Sequence, residues 1–327
     1  MPSEFELIRR FFERPAPSAR LGVGDDCALI APSPGMDLAV STDLLAEGIH
    51  FLAGTDARRL GHKSLAVNLS DIAAMGARPR WAMLALALAS ADERWLAEFS
   101  AGMFGLADRY GVELIGGDTT RCSAPGSLTI CITIFGEVPE GGALLRSGAK
   151  AGDDIWVSGE LGGAALGLAH RLGRVALPEE QAERVARRLE LPEPRVELGL
   201  RLRGLATSAI DVSDGFAGDL MHILERSAAG ARVRYASLPR SAELANLGDP
   251  VLERRCVLSG GDDYELVFTA SALRRGDVEQ VARELRLPLA CVGSVTDGTA
   301  MNGKPKLEIV DAGGRVLPAA GGYDHFS

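Results

Sequence analysis

The sequence contains few cysteines, and none of them form the pairs that zinc sites or disulfide frameworks require. Only five cysteines occur among 327 residues, and they are widely spaced, odd in number and never arranged as C-x-x-C. These features exclude a disulfide-stapled secreted domain and a zinc-binding module. We therefore expect the chain to reside in a reducing cytoplasm.

A long hydrophobic run is also missing. The longest one, residues 81–89, is far shorter than the roughly 20 residues that span a bilayer. Residues 1–15 carry acidic and basic side chains where a secretion signal has an apolar stretch. We therefore expect neither a signal peptide nor a membrane partner.

Clusters of positive charge are absent as well. The chain has 35 Lys and Arg against 44 Asp and Glu, which gives a formal net charge of −9, and no basic run stands out. Nucleic-acid-binding proteins usually present a basic face, so we expect no nucleic-acid partner. An acidic chain can still bind a nucleotide if metal ions screen its phosphates.

The common signatures of phosphate binding and nucleophilic catalysis are not found either. There is no G-x-x-x-x-G-K-[S/T], no H-R-D with D-F-G, and no set of Ser, His and Asp that suggests a nucleophile. The nearest glycine-rich segment, residues 159–163, lacks the Lys of a phosphate loop. It is either a turn that directs backbone N–H groups at an anion or a simple tight turn between a strand and a helix.

Strand-like and helix-like patterns alternate along the chain and favour two α/β or α+β domains. Strands are predicted at residues 37–42, 81–89, 113–116, 128–137, 155–158, 208–212, 264–269 and 290–295. Helices are predicted at residues 56–74, 92–110, 164–172, 179–189, 195–205 and 220–227. The turn-rich residues 139–152 predict a linker between domains of residues 1–138 and 153–327.

Short acidic motifs recur where predicted strands end or turns begin. They are GDD (24–26), STD (41–43), SD (70–71), GGDT (116–119), DVSDG (211–215) and GGDDYE (260–265). Each alone is ordinary turn or helix-cap chemistry. Magnesium, however, binds oxygen ligands and uses one or two carboxylates together with water and phosphate oxygens. The repeated pattern therefore predicts a magnesium-dependent phosphotransferase that uses ATP.

Taken in order, the motifs resemble those of the thiamine-monophosphate kinases, which belong to the aminoimidazole ribonucleotide synthetase-like superfamily. They are GVGDDCA (22–28), STD (41–43), GIHF (48–51), NLSDIAAMGA (68–77), GGDT (116–119), RSGA (146–149), DVSDG (211–215), GGDDYEL (260–266) and GYDHF (322–326). The resemblance spans nearly the whole chain. It implies that ATP phosphorylates thiamine monophosphate to thiamine diphosphate. It also implies a homodimer with a two-domain α/β fold, in which N-terminal strands form a barrel across the dimer.

The resemblance further implies roles for individual residues. The expected magnesium ligands are Asp26, Ser41, Thr42, Asp43, Asp71, Asp118, Asp211 and Asp214. Among them, the residues expected to be catalytic are Asp43, Asp71, Asp118 and Asp211. ATP would be held by Gly117, Asp118, Arg146 and Ser213, and the thiamine phosphate by His50, Asp262 and Tyr323.

Two of the substrate residues depart from the usual pattern of the family. Asp262 stands where the family usually has Glu, so its carboxylate lies one methylene further back. Tyr323 stands where Trp or Phe is common, and its ring can still stack on a cationic thiazolium or a pyrimidine.

Two alternatives to a thiamine-monophosphate kinase remain. One is another ATP-dependent enzyme of the superfamily. Selenophosphate synthetases carry a reactive Cys or selenocysteine near the N-terminus, but Cys27 has small neighbours and is interpreted as a packing residue. The other is a non-catalytic nucleotide-binding module, against which the near-complete set of Asp residues argues. For the kinase we expect direct in-line phosphoryl transfer without a phosphoenzyme.

Overall fold

The chain divides into two compact units in a computed structural model that describes residues 3–122, 128–298 and 305–318. The first unit comprises residues 1–72 and 77–141, and the second comprises residues 73–76 and 142–327. None of the described helices combines the length and the apolar character needed to cross a membrane.

The first unit contains an open, mixed four-stranded sheet. Its elements are α1 (Glu4–Phe11), β1 (Met36–Ala46), α2 (Ala57–Ala74, whose last two residues group with the second unit), β2 (Arg78–Leu88), α3 (Glu93–Tyr110), β3 (Glu113–Arg121) and β4 (Thr129–Pro139). The strand order is β1-β4-β2-β3, with β2 and β3 parallel and the other pairs antiparallel. Within the described residues, β1 and β3 are the sheet edges, so this unit's own strands do not close the expected barrel.

The two long helices of the first unit are defined by caps and by a close crossing. Asp92 caps α3 by accepting hydrogen bonds from two backbone N–H groups, and Gly111 ends the helix at φ 67°. A Cβ at Gly61 would lie 2.0 Å from the Phe99 carbonyl oxygen, and one at Gly102 would lie 1.8 Å from the Arg58 carbonyl oxygen. These two glycines therefore allow the backbones of α2 and α3 to touch.

The second unit contains a mixed seven-stranded sheet and seven α-helices among the residues that the structure describes. Its strands are β5 (Asp153–Ser158), β6 (Ala206–Asp211), β7 (Gly230–Arg234), β8 (Leu266–Ser271), β9 (Leu289–Thr296), β10 (Leu307–Val310) and β11 (Val316–Leu317). Its helices are α4 (Gly163–Arg171), α5 (Glu179–Glu190), α6 (Val196–Leu202), α7 (Phe216–Ser227), α8 (Ala242–Ala245), α9 (Pro250–Ser259) and α10 (Arg275–Leu285). The strand order is β11-β10-β7-β9-β5-β8-β6.

The core of the second unit lies along the central strands. All six residues of β5 are buried, as are the first five of β8, which pairs with β5 on one side and β6 on the other. Phe216 and Leu220 of α7 are fully buried in the same hydrophobic cluster as Val267 of β8. This packing fixes the end of β6 and the start of α7, between which the DVSDG segment lies.

Two predicted strand ends are wrong. The ladder between β1 and β4 continues to Ala46, which pairs with Thr129, and the ladder between β2 and β3 continues to Arg121. The STD and GGDT motifs therefore lie inside strands, because neighbouring strands keep pairing with their backbones. The other predicted strands and helices are confirmed, with shifted ends, and the sequence reading missed α1, α8, α9, α10, β7, β10 and β11.

Candidate active site

Predicted metal-binding side chains meet between β1 and α2. Ser41 and Asp43 are two residues apart and therefore share one face of β1. The Ser41 hydroxyl donates a hydrogen bond to Oδ2 of Asp71 on α2. Thr42 projects to the other face, where its Oγ1 lies 2.8 Å from Oγ1 of Thr133. Ser41 thus contacts Asp71, and Asp43 lies on the same face of β1 as Ser41, so we treat these three residues as one group. A ligand role for Thr42 would fall to its main-chain oxygen.

Asp26 and Asp118 line the same cavity of about 410 Å³ in the first unit. Its polar side is formed by residues 24–26 and 116–119, and its apolar side by Phe5, Ile8, Phe12, Met83, Leu114 and Ile115. An apolar wall with a few polar groups is typical of a small-molecule site. Gly117 has φ 150°, and a Cβ there would lie 1.8 Å from the Leu84 carbonyl oxygen, so only glycine fits at this position.

His50 follows β1 in a turn and has a defined tautomer. Its Nδ1 accepts a hydrogen bond from the backbone N–H of Ala46 at 3.0 Å. A ring nitrogen that accepts carries no proton, so the neutral ring has its proton on Nε2. The Lys63 side chain is 3% exposed, and its Nζ donates to the His50 carbonyl oxygen at 3.4 Å. His50 therefore has an Nε2–H donor, and its main-chain oxygen is held by the buried Lys63 side chain.

In the second unit, the structure brings together the DVSDG and GGDDYEL segments. The backbone N–H of Asp262 donates to the Ser213 carbonyl oxygen at 2.9 Å, and that of Tyr264 donates to the Val212 carbonyl oxygen at 2.8 Å. A Cβ at Gly261 would lie 2.3 Å from the Ser213 carbonyl oxygen, so the approach requires glycine. The predicted ATP residue Ser213 and the predicted substrate residue Asp262 are therefore joined by a backbone hydrogen bond.

The conformation of Asp262 is unusual and is stabilised from several sides. Asp262 has φ 69° and Tyr264 has φ 50°, which are left-handed conformations that side chains rarely adopt. The Tyr264 hydroxyl donates to Oδ1 of Asp262 at 3.1 Å. Strained backbone of this kind is concentrated at functional sites, where the surrounding structure holds it in place.

The side chain of Asp219, on α7, accepts hydrogen bonds from the backbone of the DVSDG segment. The backbone N–H groups of Ser213, Asp214 and Gly215 all donate to its Oδ2, each at 3.1 Å. Burial, followed by the negative charges of Asp211 and Asp214, raises the pKa of Asp219 to about 8. The sequence reading missed Asp219, whose only signal is its position four residues after the glycine of DVSDG.

The turn at residues 159–163 is occupied by a carboxylate of the chain itself. Oδ2 of Asp263 accepts from the backbone N–H of Gly162 at 2.7 Å, and its Oδ1 accepts from that of Ala164 at 3.4 Å. Burial nevertheless raises the pKa of Asp263 well above its ordinary value. These N–H groups, which the sequence left open as an anion site, are thus used within the fold.

Glu265 anchors the other end of the GGDDYEL segment. It is 3% exposed, accepts from Arg195 Nε at 2.6 Å and from the Ser158 hydroxyl at 2.6 Å, and so ties β8 to β5. The carboxylates on either side of Tyr264 therefore face inward, and both have structural partners.

Three further predicted site residues are Arg146, Asp211 and Tyr323. Arg146 is exposed, and its carbonyl oxygen accepts from the Ser227 hydroxyl at 3.3 Å. Asp211 ends β6 and is 5% exposed. Tyr323 lies outside the described residues.

The donor atoms fit magnesium. Among the described residues, no three His, Cys, Asp or Glu side chains converge into a preformed metal cage. Magnesium does not need one, because it binds through one or two carboxylates and fills its octahedron with water and phosphate oxygens. The group of Ser41, Asp43 and Asp71 offers only oxygen donors. Asp211 and Asp214 concentrate enough negative charge to affect Asp219, and a cation would relieve that repulsion.

The chain matches one family along most of its length. Residues 24–138 match the family described as AIR synthase related protein, N-terminal domain, and residues 150–304 match the corresponding C-terminal domain.

Several similar proteins are named as thiamine-monophosphate kinases. The thiamine-monophosphate kinase of Escherichia coli strain K12 is 45% identical over 99% of this chain and 98% of its own length. The crystal structure of thiamine-monophosphate kinase from Stenotrophomonas maltophilia K279a superposes with a TM-score of 0.82 at 45% identity, covering 93% of this chain and 94% of that one. The structure of AaThiL complexed with AMPPCP and TMP superposes with a TM-score of 0.77 at 27% identity, covering 90% and 89% of the two chains.

Proposed function

This chain belongs to the thiamine-monophosphate kinase family, and we propose that it transfers the γ-phosphoryl group of ATP directly to thiamine monophosphate. It is a phosphotransferase whose acceptor is a phosphate group. The observation that carries the substrate assignment is structural similarity, over 90% of this chain, to a relative complexed with AMPPCP and TMP.

The acceptor phosphate is already nucleophilic, so the transfer needs positioning and charge neutralisation more than covalent help. We infer a direct in-line transfer, in which the terminal phosphate oxygen of thiamine monophosphate forms a bond to the γ-phosphorus as the bond to ADP breaks. No phosphoenzyme is required. A labelled covalent intermediate trapped with γ-labelled ATP would contradict this mechanism.

Several magnesium ions are part of the proposal. Their ligands would be Asp26, Ser41, Thr42, Asp43, Asp71, Asp118, Asp211 and Asp214. When bound, magnesium neutralises charge on the donor and acceptor phosphate oxygens. Among these ligands, Asp43, Asp71, Asp118 and Asp211 are proposed as the catalytic side chains.

The residues proposed to bind ATP come from both units. Gly117 and Asp118 are proposed ATP residues of the first unit, where they line the cavity of about 410 Å³. Arg146 and Ser213 are the proposed ATP residues of the second unit, and the exposed guanidinium of Arg146 can bind phosphate oxygens in a forked arrangement.

For thiamine monophosphate, we assign the Nε2–H of His50 as a hydrogen-bond donor, since Ala46 holds Nδ1 as an acceptor. Asp262 is proposed to bind the same substrate through the carboxylate that Tyr264 orients. Tyr323 is proposed to stack on one of the thiamine rings.

A homodimer with a barrel closed across two copies is also proposed. Val40 and Leu44 lie on the outward face of the edge strand β1, and each is 55% exposed. Apolar side chains on an edge strand are suited to pairing with a second copy. Light scattering after gel filtration tests this proposal. Leu44→Lys should shift the mass from dimer to monomer, and a wild-type monomer at assay concentration would overturn it. The proposed location is the cytoplasm, in keeping with five free cysteines.

The function is tested by turnover. Purified chain is incubated with magnesium, ATP and thiamine monophosphate, and the products are separated by chromatography, with free thiamine as a parallel acceptor. Magnesium-dependent thiamine diphosphate from the monophosphate, and none from thiamine, supports the proposal. ADP release without that product would indicate another ATP-dependent reaction, and nucleotide binding without turnover would indicate a non-catalytic module.

A further inference from the structure

The DVSDG segment has a nearly complete set of backbone hydrogen bonds, and one side chain accepts most of them. The Val212 N–H donates to the Glu265 carbonyl oxygen at 2.8 Å. The next three N–H groups, those of residues 213–215, all donate to Oδ2 of Asp219. The Asp219 N–H returns to the Gly215 carbonyl oxygen at 3.0 Å, which begins α7.

Three successive N–H groups that converge on one point form an anion-binding concavity of the backbone. Here the concavity is filled by a side-chain carboxyl group of the same chain, Asp219, which is 2% exposed. A buried carboxylate close to Asp211 and Asp214 is electrostatically unfavourable. An apolar side chain at this depth would leave the N–H groups of residues 213–215 without their acceptor, so the carboxyl group is explained by the segment that it holds.

Asp219 holds the segment that carries three predicted site residues. Asp211 lies at the end of β6, and Ser213 and Asp214 lie between β6 and α7. Gly215 has φ 113°, and a Cβ there would lie 2.8 Å from the Ser259 carbonyl carbon, so the segment is also tightly packed on its far side. With its N–H groups bonded to Asp219, the backbone of the segment has little freedom to rotate the carboxylate of Asp214.

We propose that Asp219 is a positioning residue, whose Oδ2 fixes the backbone of residues 213–215 so that Asp211 and Asp214 present their carboxylates to magnesium. The proposal rests on the function proposed above. It gives α7 a role in metal binding, because Asp219 lies on that helix and outside the DVSDG motif. Outer partners that orient metal ligands typically contribute about 10–100-fold in metal affinity or activity.

The test compares four full-length proteins at a temperature at which all are folded. They are the wild type, Asp219→Ala, Asp219→Asn and the matched control Asp154→Asn. Asp154 is also a buried carboxylate, at 5% exposure, and is held by Arg275 at 2.8 and 2.9 Å. Asp154, on β5, pairs with Ala270 of β8, whereas Asp211, on β6, pairs with Leu266 of β8. The two aspartates therefore lie beside positions four residues apart on β8.

The primary measurement is the magnesium concentration that gives half-maximal binding of a fluorescent, non-hydrolysable ATP analogue. Asp219→Ala should raise it by about 10–100-fold. Asp219→Asn keeps an acceptor oxygen for the three N–H groups and should recover most of the loss. Asp154→Asn should match the wild type. In the same samples, amide hydrogens of residues 213–215 should exchange faster in Asp219→Ala alone, and its kcat should fall with little change in the KM for thiamine monophosphate.

A magnesium requirement for Asp219→Ala equal to that of Asp154→Asn would overturn the proposal, as would failure of Asp219→Asn to recover binding. If Asp219→Ala does not fold, Asp219→Leu replaces it, because Leu keeps the branched shape without an acceptor. A wild type that binds the analogue with magnesium but forms no thiamine diphosphate would contradict the proposed function, and the comparison among variants would still decide the role of Asp219. A wild type without magnesium-dependent binding would overturn both.

Discussion

The Ser41 hydroxyl on β1 donates a hydrogen bond to the Asp71 carboxylate on α2, so one proposed magnesium ligand orients another. The contact joins an edge strand to a helix whose neighbouring side chains, Ser64 and Asn68, are fully buried. Because α2 is fixed by its close crossing with α3, the carboxylate of Asp71 has a defined position before any ion binds.

Replacing Asp71 should therefore affect turnover far more than folding. Asp71→Asn removes the negative charge that would bind magnesium but keeps an oxygen that can accept from Ser41. We expect kcat to fall by at least about 100-fold, since loss of a mere orienting partner already reaches that level, with an unchanged unfolding midpoint. Ser41→Ala is the matched control and should have a smaller effect. Full activity of Asp71→Asn would remove this residue from the metal site.

Asp262 should act on substrate binding. Asp262→Ala is expected to raise the KM for thiamine monophosphate by about 10–100-fold, the loss of a charged hydrogen bond, with a smaller change in the KM for ATP. Asp262→Glu restores the residue usual in the family and should retain activity. Tyr264→Phe removes only the hydroxyl that donates to Oδ1, so its effect should be milder. Steady-state kinetics with each substrate varied measures all three, and an unchanged KM in Asp262→Ala would exclude the contact.

Segments with strong local patterns were predictable from the sequence. The helix α3 has apolar periodicity, an Asp cap and a terminal glycine, and β4 alternates between buried and half-buried side chains. Elements without such patterns were missed. The helix α10 has only two buried residues, Val278 and Val281, and β7 is five residues long with two arginines. Their positions depend on packing against the rest of the sheet.

The same distinction applies to the candidate site. Motifs such as DVSDG are local and could be read directly, but their partners are distant in sequence. Asp263 bonds to Gly162 from 101 residues away, and Ser41 bonds to Asp71 across 30 residues. Asp219 is close in sequence, but three donors on one oxygen arise only from the turn that precedes α7. Patterns in sequence predict the ligands, whereas the side chains that orient them are visible only in the fold.

Two glycines should respond to alanine in opposite directions. Gly117→Ala would place a Cβ 1.8 Å from the Leu84 carbonyl oxygen at φ 150°, so we expect a loss of at least about 2 kcal/mol and loss of nucleotide binding. At Gly105, on α3, the methyl group of an alanine would have no atom within 4 Å. Gly105→Ala should stabilise the chain by about 0.5–1 kcal/mol because alanine favours helix. Urea unfolding measures both changes, and equal effects would contradict the close approach of β3 to β2.

The pH dependence of stability should reveal the titration of Asp263, whose carboxyl group accepts hydrogen bonds from backbone N–H groups at the start of α4. Burial raises the pKa of Asp263 above its ordinary value, so the native state binds this proton more tightly than the unfolded state. Its contribution to stability is therefore complete below the unfolded pKa of about 4 and is lost as pH rises toward the native pKa. Asp263→Asn does not titrate there and keeps an acceptor for the Gly162 N–H. Its free energy of unfolding, relative to wild type, should rise between pH 4 and pH 7.

Asp311 is a control, because its pKa is shifted in the opposite direction from that of Asp263. Its pKa is lowered, first by the backbone N–H of Arg315, so its contribution is present above the unfolded pKa and is lost as pH falls. The free energy of unfolding of Asp311→Asn, relative to wild type, should therefore fall as pH rises through about 4. Urea titrations at several pH values measure both differences. If the Asp263→Asn difference followed the same sign as that of Asp311→Asn, the N–H groups of α4 would outweigh burial, and Asp263 would be an ionised cap of that helix.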